Sequence, residues 1–298
     1  MKHDMIRAPD FDLATTLDSG QTFHWKKAGE GFVGTIGDEP VYVEQRSETL
    51  LFAGGSAGLL RHYFALDHPL GEICASFPDD APMNEARAYC RGLRILRQPA
   101  WECLASFITS SMKQVAHIRQ ISEALRQRFG RERRIGHHTV YSYPPAQMIA
   151  QASEGDLREC ALGYRARNLL ATAGRVASGE ADLDGWAALA DAELQMKLLG
   201  LPGVGAKVAH CVMLFAYERL QAFPIDVWIA RILRERYFPR KRKVTERQMR
   251  DFSRKYFGAH GGYAQQYLFH HARKTASRKK IGFGGRPAVG ARSVGHET

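Results

Sequence analysis

Hydrophobic positions change their period along this chain. Residues 31–36, 40–45 and 49–52 are short β-branched or aromatic runs separated by Gly and Asp turns, the pattern of antiparallel strands. From about residue 98 the spacing becomes helical. Ile118, Ile121, Leu125 and Phe129 form one stripe that ends at Gly130, and residues 246–257 and 263–274 predict the last helices. Residues 141–145 and the basic run 131–134 predict loops. The expected fold is therefore α+β: a mostly β unit over residues 1–97, a helical body over 98–278, and a disordered basic tail over 279–298. That last stretch holds five glycines among small and charged residues.

The densest local signal lies between two helical runs. Residues 189–199 have helical apolar spacing, Gly200 is a natural stop, and Leu201-Pro202-Gly203-Val204-Gly205-Ala206-Lys207 follows. Gly203 and Gly205 give the backbone freedom for a tight turn and let another molecule approach the main chain. Unpartnered N–H groups at the start of the second helix suit a phosphate. Lys207 stands early in that helix, where its charge opposes the dipole. It is either a phosphate contact or an amine activated by desolvation to act as a nucleophile. Lys207, Cys211 and Phe215 are spaced i, i+4, i+8 and share a face that could floor a pocket for a flat heterocycle. Pro224-Ile225-Asp226 precedes a helical run over 227–237, so Asp226 suits an N-cap, which does not exclude catalysis. Nineteen positions separate Lys207 from Asp226, enough for one helix and a short loop, so the two can face each other.

Charge narrows the partner. Lys and Arg number 42 against 31 Asp and Glu, giving a net charge of +11 and a pI near 9.5, which suits a polyanion. The five cysteines form no CxxC pair, which argues against an iron–sulfur cluster and fits a reducing compartment. No apolar run reaches a membrane span's length and the first ten residues hold no signal-peptide core, so an intracellular, DNA-associated location is expected.

The hairpin and its aspartate resemble the helix-hairpin-helix DNA glycosylases, and a lysine at position 207 resembles the bifunctional glycosylase/lyases among them. Three further segments narrow the resemblance to the 8-oxoguanine DNA glycosylase family: Ser19-Gly20-Gln21-Thr22-Phe23-His24-Trp25, Gly163-Tyr164-Arg165-Ala166-Arg167, and Gly262-Tyr263-Ala264-Gln265-Gln266-Tyr267-Leu268-Phe269. The helix containing Trp101 to Ser111 is similar to the family's helix leading to the damaged pair. The resemblance implies catalysis by Lys207 and Asp226 and a base pocket of Gly20, Cys211, Phe215, Gln265 and Phe269. It implies that the Gly20 carbonyl accepts a hydrogen bond from N7–H, a proton 8-oxoguanine carries and guanine lacks. An unpaired buried acceptor costs about 1–3 kcal/mol, which makes this a usable discriminator. Gln265 would read the extruded base's edge and Phe269 stack on it. Tyr164 would wedge into the helix and Arg165 contact the orphaned base. Gly203, Gly205 and Val208 of the hairpin, with His117 and Trp228, complete the implied DNA contacts.

The sequence departs from the family at three places. Met112-Lys113-Gln114 replaces a run of asparagines, His117 an arginine that helps read cytosine, and Trp228 a phosphate-binding histidine. Relaxed preference for the opposite base is the consequence. The expected activity is excision of 8-oxoguanine from double-stranded DNA by a monomer, with no cofactor and no metal. The alternatives are an alkylpurine glycosylase, which Lys207 disfavours, and a noncatalytic DNA-binding module.

Overall fold

A computed structural model describes the backbone of residues 3–110, 114–241 and 243–282, and side chains as far as residue 276. Five strands, β1 (Asp4–Arg7), β2 (Lys26–Ala28), β3 (Gly31–Ile36), β4 (Glu39–Arg46) and β5 (Thr49–Ala53), form one antiparallel sheet in the order β1-β5-β4-β3-β2. Both faces are covered. Ile6, Val41, Val43, Leu50 and Phe52 pack with Leu60, Tyr63 and Phe64 on one side. Val33, Tyr42 and Ala53 pack with Ile135 and Val140 on the other.

The stretch before residue 98 is more helical than its pattern suggests. It contains α1 (Leu13–Asp18), α2 (Ala57–Tyr63), α3 (Leu70–Ala75) and α4 (Ala81–Tyr89). Asp12, Ser56 and Asp80 cap the first, second and fourth of these by accepting a backbone N–H. They are only six to nine residues long, too short for a full apolar stripe. Leu70, Ile73, Phe77, Met83 and Leu93 bury themselves in the main helical core, not in the sheet's.

The body begins with α5 (Ala100–Thr109) and α6 (Val115–Phe129) and continues with a hairpin of β6 (Glu132–Ile135) and β7 (His138–Tyr141). The hairpin replaces the expected loop. Ile135 and Val140 point onto the sheet while the arginines stay at the surface, so two apolar residues decide the conformation of a charged run. There follow α7 (Ala146–Gln151), α8 (Glu154–Glu159), α9 (Arg165–Ala177), α10 (Asp191–Leu199), α11 (Ala206–Phe215), α12 (Val227–Ile232), α13 (Glu246–Phe257) and α14 (Gly261–Gly282). The helix expected over 227–237 is α12 continued by a π turn, Leu233–Tyr237. Helix α14 takes in residues 279–282 of the expected disordered tail; the rest of that tail lies outside the described residues.

A buried charge network joins sheet and body. Arg126 of α6 pairs with Glu102 of α5 and donates to Thr35 Oγ1 at 3.0 Å and Tyr141 O at 2.9 Å. His24 Nε2 lies 2.8 Å from Thr35 O, and burial followed by the Arg126 charge pushes its pKa well down. A neutral ring must donate through Nε2, leaving Nδ1 to accept from Thr22 Oγ1 at 3.2 Å. No helix among the described residues is long and apolar enough to cross a membrane.

Candidate active site

Helices α10 and α11 form a hairpin through residues 200–205. Gly203 has φ +79°, and a Cβ there would lie 2.8 Å from the Asn168 Cβ, so this turn needs glycine for both conformation and space. Helix α9 holds the turn: Thr172 Oγ1 donates to Pro202 O at 2.9 Å and Arg175 Nη1 to Gly200 O at 2.9 Å. Val204 and Val208 anchor it into the core. Val208 therefore offers only its backbone N–H to a ligand. Gly205 is the N-cap of α11 and supplies no side-chain acceptor. The first intrahelical bond runs from Ala209 N to Gly205 O at 2.9 Å, so the N–H groups of Ala206, Lys207 and Val208 precede it and suit an anion.

Lys207 is half-buried in the first turn of α11. Its Nζ donates to Ser110 Oγ at 3.2 Å and lies 4.9 Å from the centroid of the Phe107 ring. Cys211 is one turn further on, buried and hydrogen-bonded to Lys207, and burial pushes its thiol up to about 11. The sulfur is thus a neutral, polarisable surface beside the amine. Phe215 follows Cys211 by one further turn and is buried. At i+8 it lies about 12 Å along the axis from Lys207. Phe107 stacks over it with centroids 5.4 Å apart and planes 14° from parallel. Phe107, from α5, thus lies between the Lys207 amine and the Phe215 ring.

Asp226 is the N-cap of α12, accepting from Ile229 N at 2.9 Å, as its position predicts. Burial raises its carboxyl above the usual Asp value, while the Ile229 N–H and the Lys207 charge act in the opposite direction. The Lys207 charge thus acts on a carboxylate that also caps α12.

A second group of the implied site residues comes from the turn after α1 and from α14. Gly20 has φ +87°, and a Cβ there would sit 3.1 Å from Phe269 Cε1. Gln21 fixes this turn: its Nε2 donates to Arg94 O at 2.8 Å, and its Oε1 accepts from Leu96 N at 2.7 Å. Gln266 Nε2 donates to Ser19 O at 2.9 Å, tying α14 to the same turn. One residue away, Gln265 is buried and its Oε1 has no hydrogen-bond partner. Such an atom costs stability unless a ligand satisfies it. Gly20, Gln265 and Phe269 thus share one wall, built across a sequence gap of more than 240 residues.

The implied DNA-contact residues are more scattered. Tyr164 is 62% exposed, a ring in water that burial alone does not explain. Arg165 beside it is buried, with Cζ 4.4 Å from the Tyr164 ring centroid and Nη1 donating to Leu162 O at 3.3 Å. The guanidinium thus lies against the exposed ring, next to the residue implied to enter the helix. His117 is exposed on the first turn of α6. Trp228 is half-buried and carries Arg231 over its ring at 5.5 Å. Met112 lies outside the described residues. Sequence reasoning missed Ser110 and Phe107 as partners of Lys207. The polar stretch Thr109-Ser110 closing an otherwise apolar helix was the available signal. Two surface grooves, of about 640 Å³ beside Asp12, Arg91 and Tyr267 and about 510 Å³ beside Trp186 and Lys197, contain none of the site residues.

Comparison with known proteins gives the same assignment along the chain. Residues 5–104 match the model of the 8-oxoguanine DNA glycosylase N-terminal domain, and residues 105–256 match that of the HhH-GPD superfamily of base excision DNA repair proteins. The N-glycosylase/DNA lyase OGG1 of Arabidopsis thaliana is 30% identical over 87% of this chain and 77% of its own length. MBOgg1, solved with a low-affinity DNA ligand, superposes with a TM-score of 0.87 at 31% identity, covering 93% of this chain and 100% of that one. The Clostridium acetobutylicum 8-oxoguanine glycosylase/lyase, solved with duplex DNA bearing cytosine opposite 8-oxoguanine, gives 0.85 at 29%, covering 93% and 100%.

Proposed function

From the premise that the chain belongs to the 8-oxoguanine DNA glycosylases of the HhH-GPD superfamily, we propose the following mechanism, in which it excises 8-oxoguanine from duplex DNA and nicks the resulting abasic site. The N–H groups of Ala206, Lys207 and Val208 hold a backbone phosphate, and Tyr164 enters the stack as the lesion nucleotide leaves it. The extruded base lies between Cys211 and Phe269, with its N7–H on the Gly20 carbonyl and its Watson–Crick edge on Gln265. Guanine would set a lone pair against that carbonyl.

The free amine of Lys207 attacks C1′. A C–N bond forms, the glycosidic bond breaks with its electron pair going to the base, and the departing base takes up a proton. The Asp226 carboxylate stabilises the positive charge that develops on the sugar. Ring opening gives a Schiff base on Lys207, and loss of a C2′ proton expels the 3′ phosphate by β-elimination. The observation that carries this reading is Lys207, set in a helix's first turn between the Ser110 hydroxyl, the Cys211 thiol and the Asp226 charge. The unpaired Oε1 of Gln265 supports the base-recognition half.

The test is product release from duplexes carrying either 8-oxoguanine or an alkylated adenine. Release of 8-oxoguanine with strand cleavage is expected. Release of the alkylated base alone, with the strand intact, would instead establish the alkylpurine activity.

A further inference from the structure

Three cations converge on the residue that ends α1, two positions before Gly20. Asp18 Oδ1 accepts from Arg119 Nη2 of α6 at 2.9 Å, Oδ2 pairs with Lys274 of α14, and the main-chain oxygen accepts from Arg273 Nη2. Arg273 is one helical turn beyond Phe269 and lies over its ring, Cζ 5.7 Å from the centroid. Its Nη1 is also 3.6 Å from where a Gly20 Cβ would sit. One guanidinium therefore lies beside both Gly20 and the Phe269 ring, which approach each other closely. Ion pairs as exposed as Asp18 with Arg119 and Lys274 contribute little to stability, so their main consequence is geometric.

We propose that Arg273, held by Asp18, is a specificity-determining positioning residue that fixes the spacing between the Gly20 carbonyl and the Phe269 ring. Without it the ring loses the cation beside it, and the chain bearing Gly20 loses a donor to Asp18 O. The carbonyl then drifts from the place where it reads N7–H. Arg119 and Lys274 hold the Asp18 side chain in turn, which makes Asp18 the anchor and Arg273 the strut. This inference rests on the base-recognition reading above.

The experiment compares Arg273→Ala, Arg273→Lys and wild type, as full chains, on two duplexes. One carries 8-oxoguanine and requires the base pocket; the other carries a preformed abasic site and requires only the lysine chemistry. Arg273→Ala is expected to lower single-turnover excision of 8-oxoguanine about tenfold while abasic-site nicking stays within about twofold, the size of effect a small misplacement produces. Arg273→Lys, which keeps a cation over the ring, recovers part of the loss. Excision within twofold of wild type in Arg273→Ala overturns the proposal. So do equal losses on the two duplexes, or a lysine variant no better than alanine. If wild type itself releases no 8-oxoguanine, the functional reading fails first, and this inference with it.

Discussion

Replacing Asp226 by Asn separates the capping observed for its carboxylate from the catalytic role proposed for it. As an N-cap it accepts the Ile229 N–H at 2.9 Å, and Asn caps about as well as Asp. Burial raises the carboxyl's pKa in the fold, so the ionised form is held there at a cost. The sign of the linkage follows. Above the raised pKa this cost is fully present, and it is relieved as pH falls through that value. Asn removes the charge and keeps the cap, so its melting temperature should equal or exceed that of wild type at neutral pH. Ala removes both and forfeits a cap worth about 1 kcal/mol, or roughly 2–4 °C for a chain of this size, partly offset by the relief of the charge. Excision should behave differently. Loss of a carboxylate facing the developing sugar cation should lower the single-turnover rate by about 10²–10³ in either variant. Thermal melting beside single-turnover excision, both at neutral pH, reads the two effects separately. An Asn variant that excises at the wild-type rate would reduce Asp226 to a cap. An Asn variant melting many degrees lower would show that the buried charge stabilises the fold. The wild-type rate should also fall on acidification with an apparent pKa above the ordinary Asp range, a limb that Asn removes.

Further outcomes follow from the same structure. Glu102→Ala leaves Arg126 buried without its partner and should cost about 3–5 kcal/mol in urea unfolding; Glu102→Gln, which retains an acceptor, should cost less. Gln265→Leu removes a buried acceptor that has no partner, so its melting temperature should match or exceed wild type. Excision of 8-oxoguanine should nevertheless drop at least about tenfold while abasic-site nicking persists.

What the sequence disclosed was local. The turn at Gly203, the Gly205 helix start and the Asp226 cap each depend on a few adjacent residues, so they could be read directly. Strands β3 to β5 alternate with clear turn residues and were equally legible. Strand β1 was missed because β5, with which it pairs, lies more than forty residues away. The β6–β7 hairpin was missed because Ile135 and Val140 are its sole contribution to the buried cluster on that face of the sheet. In the site, i, i+8 spacing places Phe215 on the Lys207 face, but nothing in α11 itself could reveal that Phe107 would stack on it. Tyr164 and Arg165 are adjacent and are both implied DNA contacts, yet one is exposed and the other buried, a difference set by tertiary packing. Arg273 carried a faint signal, an arginine four positions after Phe269, whose meaning depended on Asp18 far along the chain.

The most direct test of the lysine mechanism is borohydride trapping on duplexes carrying 8-oxoguanine opposite each of the four bases, with wild type and Lys207→Gln side by side. Wild type should form a covalent adduct, and Lys207→Gln should form none while still binding the duplexes. Comparable yields across the four duplexes would reflect His117 in place of an arginine. An adduct that survives in Lys207→Gln, or wild-type excision by that variant, would contradict the assignment of Lys207 as the nucleophile.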